Sequence, residues 1–119
     1  MESMIESKTD MANLSEDRYQ ELLEQATVDC YNDEEEQLMS ILYTLDEQLA
    51  FPLEAHILGE QVELLGLDDQ ASNLHRGIVA RVRKGGVEYR VGLSELAFVG
   101  LDPASAEWLE MYRRWAALL

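Results

Sequence analysis

The sequence predicts an α+β domain: two N-terminal helices, a small antiparallel β-sheet or SH3-like barrel, and a C-terminal helix. Two changes of period carry that prediction. Apolar residues recur at helical spacing as far as Leu49, alternate every second residue from Leu53 to Val91, and return to helical spacing after Asp102. A chain of 119 residues with 47 % hydrophobic residues is one domain's worth of core.

The elements follow in order. Residues 1–13 are polar and read as a frayed end. Tyr19, Leu22, Leu23 and Ala26 then share one helical face, which gives a first helix from Ser15 to about Val28. Leu38, Ile41, Leu42, Leu45 and Leu49 repeat the pattern, and Phe51-Pro52 closes the second helix, because the residue before a proline is steered to extended geometry. The acidic helices thus occupy 14–51 and the sheet 53–99. In the sheet, Leu53, Ala55 and Ile57 alternate with polar neighbours, Gly59-Glu60 offers a turn, and Val62 and Leu64 return. A polar connection, DDQASNLHRG, precedes a second hairpin: Ile78, Ala80 and Val82 lead to Lys84-Gly85-Gly86, and Val87, Tyr89 and Val91 come back. Asp102-Pro103, with Ser105 as a rival cap, opens the helix over 102–119. Trp108, Tyr112 and Trp115 line one side of it, a stripe that reads as core packing rather than a binding platform.

Charge restricts the function classes. The formal net charge is −15, which opposes nucleic acid and anionic membrane surfaces. Residues 1–54 hold 15 Asp and Glu against Lys8 and Arg18, whereas residues 55–119 hold 9 against 7. Mutual repulsion in the first half favours a bound cation or a basic partner. The N-terminus lacks the basic and apolar regions of a secretory signal, no transmembrane stretch follows, and Cys30 is the sole cysteine, so a bacterial or organellar cytoplasm is the expected compartment. Carboxylates around Cys30 argue for a packing role rather than a reactive thiol.

The acidic surplus peaks in DCYNDEEEQ, where Asp29, Asp33, Glu34, Glu35 and Glu36 fall within eight residues. Two readings compete. Asn32 with Glu35 resembles a capping box, and acids in a helix's first turn complement the macrodipole, which accounts for two or three of the five. Calcium, which takes about six to eight oxygen ligands in a tolerant geometry, accounts for the remainder. Successive helical residues lie about 100 degrees apart, so the acids form two sets. Glu34 and Glu35 fall on the inward side, one turn before Leu38, and Asp33 and Glu36 fall on an outer face within reach of Asp29. An EF-hand beginning at Asp29 is excluded, because its third, sixth and twelfth positions are Tyr31, Glu34 and Ser40. Asp68 and Asp69, followed by Gln70, Ser72 and Asn73, form a second oxygen-rich candidate for weak ion binding, although such a run is more often a solvated strand connection.

Other chemistry finds little support. His56 and His75 are not spaced for zinc, no serine lies in a nucleophile motif, and Gly85-Gly86 sits at a hairpin tip rather than before a helix. An enzyme is not expected. The main rival is an acidic protein-protein interaction module without a specific metal site. Arg76, Arg81, Arg83, Lys84 and Arg90 stand against Glu88 alone in the second hairpin, which gives the molecule a basic pole opposite its acidic one. Those residues read as the outward face of strands paired with the acidic helices, and the expected state is a monomer, with head-to-tail association as the alternative.

The stretches DCYNDEEEQLMSILYTLDEQLAFPLEAHILGEQVEL, GIVARVRKGGVEYRVGLSELAFV and WLEMYRRWA, from about Val28 to Ala116, resemble the small acidic cyanobacterial calcium-binding protein family of heterocyst-forming species. The run YNDEEEQ, the FP that closes the helix and the terminal YRRW carry the resemblance as a set. It implies a cytoplasmic, non-EF-hand calcium protein that buffers or signals free Ca2+, with a link to heterocyst differentiation. The positions it matches are Asp33, Glu34, Glu35 and Glu36, with Asp29 just upstream. The first helix and the segment from Asp68 to His75 lie outside it.

Overall fold

The computed structural model describes residues 14–28, 30 and 33–119. The expectation of fraying over 1–13 lies outside the described residues, as do Asp29, Tyr31 and Asn32. Three helices and five strands follow one another as α1 (Glu16–Ala26), α2 (Glu34–Gln48), β1 (Leu53–Ile57), β2 (Glu60–Asn73), β3 (Gly77–Lys84), β4 (Val87–Gly92), a 3-10 turn (Leu93–Glu95), β5 (Ala97–Phe98) and α3 (Pro103–Ala117). The α+β prediction holds, with every strand pairing antiparallel.

Helix boundaries follow side-chain capping. The Ser15 hydroxyl accepts from the Arg18 N–H, so Ser15 is the cap of α1 rather than its first residue, and the helix ends at Ala26, short of Val28. In α2 the cap is Asp33, one residue later than Asn32: its carboxylate accepts from the Glu35 N–H at 3.0 Å. α2 ends at Gln48, ahead of a cis Phe51-Pro52 peptide. Asp102 caps α3 with Pro103 in the first turn, and the Ser105 N–H donates to Asp102, so Ser105 is not the cap.

The strand order is β4-β3-β2-β1-β5: β1 to β4 form a meander, β5 returns beside β1, and β4 and β5 are the edges of one five-stranded sheet, the antiparallel sheet of the two expected forms rather than a closed barrel. Both hairpins turn on two residues with positive φ, the requirement of a type I′ turn. In the second these are Gly85 and Gly86, as expected; in the first they are Leu58 (φ 52°) and Gly59 (φ 80°), one residue earlier than the sequence suggested. The segment read as a polar connection is largely strand: β2 continues to Asn73, with register shifts after Leu64 and after Asp68 that bend it.

One face of the sheet is apolar. Ala55, Val62, Leu64, Ala80 and Val82 are buried there, together with Leu22, Leu38, Ile41 and Leu45 of the first two helices and Trp108, Met111, Tyr112 and Trp115 of α3. The aromatic stripe is therefore core. Tyr112 also serves the backbone: its hydroxyl accepts from the buried Ile78 N–H at 2.9 Å. Gly77 makes room for it, since its φ is +76° and a Cβ there would stand 2.9 Å from the Tyr112 oxygen.

Candidate metal centre

The acidic start of α2 presents its side chains to solvent. Asp33, Glu34, Glu35 and Glu36 are all exposed. Glu34 and Glu35 therefore do not point inward, contrary to the placement one turn before Leu38; on this helix the buried stripe begins at Leu38 itself. Asp33 spends one oxygen on its cap bond, and Glu34, Glu35 and Glu36 occupy the first turn. Among the described residues no cation pairs with Asp33, Glu34 or Glu35. Glu34 shares the lining of a groove of about 570 Å³ with Arg113, Arg114 and Trp115.

Those arginines are engaged elsewhere. Glu110, only 3 % exposed on α3, accepts from Arg113 at 2.6 Å and from Arg114 at 3.1 Å. Burial by itself raises the Glu110 carboxyl, and the two guanidinium hydrogen bonds outweigh it, holding the group below its ordinary range. Arg114 also donates to the Leu14 carbonyl and stands 5.9 Å from the centre of the Tyr19 ring, so it ties the chain ahead of α1 to α3.

The first turn of α2 is held from behind. Trp115 Nε1–H donates to Gln37 Oε1 at 3.4 Å, and the Cys30 thiol lies 3.7 Å from the Glu36 carbonyl oxygen. Ser40 of α2 donates to the Ala26 carbonyl at the end of α1. The acidic turn is thus fixed on the molecule while its carboxylates face water.

The second candidate pair is differently employed. Asp68 accepts from Arg90 at 2.8 Å and from the Ala71 N–H at 3.1 Å, and these bonds hold its carboxyl below the usual range. Asp69 accepts from the Tyr43 hydroxyl at 3.3 Å, and its charge pushes that phenol up. Both side chains join β2 to neighbouring elements, Asp68 to β4 and Asp69 to α2.

Four of the five basic residues are neutralised within the sheet, while Arg76, in the turn before β3, has no ion pair among the described residues. Arg81 pairs with Glu88, Arg83 with Glu63, Lys84 with Glu60, and Arg90 with both Asp68 and Glu88, all between 2.8 and 3.4 Å. The outward-strand reading holds for these cations, but their partners are acids of adjacent strands and not the acidic helices. Gly66 lets Arg81 lie close, since a Cβ there would stand 2.9 Å from its guanidinium. The helices keep their surplus: Asp17, Glu24, Asp46 and Glu47 join Glu34 and Glu35 as exposed carboxylates without a cation among the described residues. The surplus of the first half is legible in the sequence, but the pairing of the hairpin cations with adjacent strands is not, because it depends on which strands become neighbours.

A donor set of carboxylates suits a hard cation such as calcium. Among the described residues, however, no three His, Cys, Asp or Glu side chains converge closely enough to hold an ion. The acids at the start of α2 therefore do not form a complete shell by themselves.

The sequence from residue 20 to residue 116 matches the family model described as calcium binding, CcbP. Two solved structures share the fold. Anabaena CcbP is 24 % identical with a TM-score of 0.74, covering 90 % of this chain and 96 % of its own. A calcium-binding protein in its calcium-binding form is 21 % identical with a TM-score of 0.69, covering 91 % and 97 %. No protein with a curated description matches by sequence. With most of its length matched by the family model, the chain belongs to the CcbP family, whose ligand is calcium and which is not a family of enzymes.

Proposed function

We propose that this protein binds calcium through the acidic start of α2, with Asp33, Glu34, Glu35 and Glu36 as the principal carboxylates and Asp29 and main-chain oxygens completing the shell. One observation carries the assignment: apart from Arg76, the described cations pair with acids of the sheet, α1 and α3, while Asp33, Glu34 and Glu35 stand exposed without one among the described residues. A divalent ion supplies the missing counter-charge and relieves repulsion within the turn. Asp68 and Asp69 are secondary, because a cation there competes with Arg90 and Tyr43 for the same oxygens. The role that fits is a cytoplasmic calcium buffer or reporter, with the link to heterocyst differentiation that the family resemblance implies.

Calorimetric titration of metal-stripped protein tests the site. Calcium binds saturably and magnesium more weakly, since magnesium demands stricter octahedral geometry. The variant Asp33→Asn, Glu34→Gln, Glu35→Gln, Glu36→Gln loses that binding while keeping its helical circular dichroism. Unchanged calcium affinity in the variant places the ion elsewhere on the molecule.

A further inference from the structure

The second hairpin ends in an edge that is complementary to itself. β4 lies at the margin of the sheet, pairs continuously with β3 from Val79–Gly92 to Lys84–Val87, and carries neither proline nor bulge, two of the usual protections of an edge; its charges, Glu88 and Arg90, are balanced in sign and paired within the chain. No described segment pairs with its outer side. Lys84 and Val87 flank a two-residue turn and so form the first hydrogen-bonded pair of the ladder. Alternation then directs the N–H and C=O groups of Val87, Tyr89 and Val91 toward β3, and those of Glu88 and Arg90 outward to the free edge.

We propose that this edge pairs with the same edge of a second copy of the chain, antiparallel and two-fold symmetric about Tyr89. In that register Glu88 lies opposite Arg90 of the second copy and Arg90 opposite its Glu88. The outward N–H and C=O groups are then matched, and both side-chain pairs have opposite sign. Val87 meets Val91 and Tyr89 meets Tyr89 on the opposite face of the sheet, where Val87 (51 %) and Tyr89 (50 %) are half exposed in the single chain. Shifting the two-fold axis by one residue to Glu88 or Arg90 keeps the outward groups matched but sets Glu against Glu or Arg against Arg. Charge therefore selects one register. The contact is isologous, so it closes at two copies. Six residues of edge cover less than the roughly 1,200 Å² at the lower end of stable interfaces, so the dimer belongs to the weak, transient class. It departs from the expected monomer, and it differs from head-to-tail association of opposite poles in its salt response. Two chains of net charge −15 repel, so salt strengthens an edge-to-edge dimer and weakens a pole-to-pole one.

Sedimentation equilibrium and disulfide trapping test the pairing independently of any calcium site. A Cys30→Ser background removes the native thiol. The wild-type chain dimerises at concentrations up to about 1 mM, more tightly at higher salt. Tyr89→Cys links to itself under mild oxidation, because a two-fold non-hydrogen-bonded pair sets the Cα atoms roughly 4.5 Å apart, within disulfide reach. Val99→Cys, exposed beyond the other edge, links at least tenfold more slowly. Glu88→Arg abolishes association, and Glu88→Arg with Arg90→Glu restores it. A chain monomeric throughout that range, linking of Tyr89→Cys no faster than of Val99→Cys, or association untouched by Glu88→Arg in a folded variant overturns the proposal.

Discussion

At Leu58 the hairpin between β1 and β2 takes a conformation that its side chain resists. The residue is 97 % exposed with φ at 52°, a left-handed backbone that asparagine and glycine adopt far more readily than leucine. Nothing is gained there by burial. Leu58→Asn is therefore expected to stabilise the fold by about 1 kcal/mol, the cost of the left-handed conformation for an ordinary residue. The check is a chemical-denaturation midpoint; a lower midpoint for the variant means that Leu58 has apolar contacts that matter in solution. The same residue explains why the first turn falls one residue before the position its composition predicts. Leu is an improbable occupant of a positive-φ position, so Gly59-Glu60 was the better turn on chemistry alone. The Gly85-Gly86 turn carries the required freedom openly, and its place in the structure is the one its composition predicts.

Among the elements, α3 shows how a buried charge becomes a tether. Glu110 is enclosed by the helix and answered by Arg113 and Arg114, and Arg114 reaches on to Leu14 and Tyr19. Because the carboxyl's folded pKa lies below its ordinary value of 4.5, the stability it contributes is fully present above that value and is lost as the pH falls through the folded pKa. Glu110→Gln is expected to lower the melting temperature at neutral pH and to flatten the acid side of the pH–stability curve. Equal slopes for variant and wild type on that side would deny Glu110 its part. Helices and hairpins are legible because periodicity reports which face is buried, and the three apolar stripes are buried as expected except for Leu23, which is half-buried. The long β2 was not legible. Asp68, Asp69 and Gln70 are turn residues by composition, yet Arg90 and Tyr43 tie the two aspartates to β4 and α2, and the Ala71 N–H bond to Asp68 closes an irregularity within the strand rather than a turn that ends it. Those partners come from β4, from β2 itself and from α2, and no local window contains them all. The acidic turn of α2 was visible by charge alone, but its cap moved from Asn32 to Asp33 because either side chain suits that role.

The whole molecule separates a neutralised sheet from an unneutralised pair of helices. Ion pairs on exposed strands contribute little each, whereas the like charges of α1 and α2 repel across a Debye length of about 10 Å at 0.1 M salt. Added sodium chloride should therefore raise the melting temperature of the metal-free protein, and a fall would mean that the strand ion pairs dominate. The hydrogen bond from Trp115 to Gln37 adds an optical consequence. Its indole sits at the back of the turn formed by Glu34, Glu35 and Glu36, the other tryptophan being Trp108 on the same helix. An ion drawn to that turn alters the field and the hydrogen bond at the indole, so calcium should shift or quench tryptophan emission in the native chain. Trp115→Phe should silence that signal while leaving the calorimetric heat in place, and the protein would then serve as its own unlabelled fluorescent indicator.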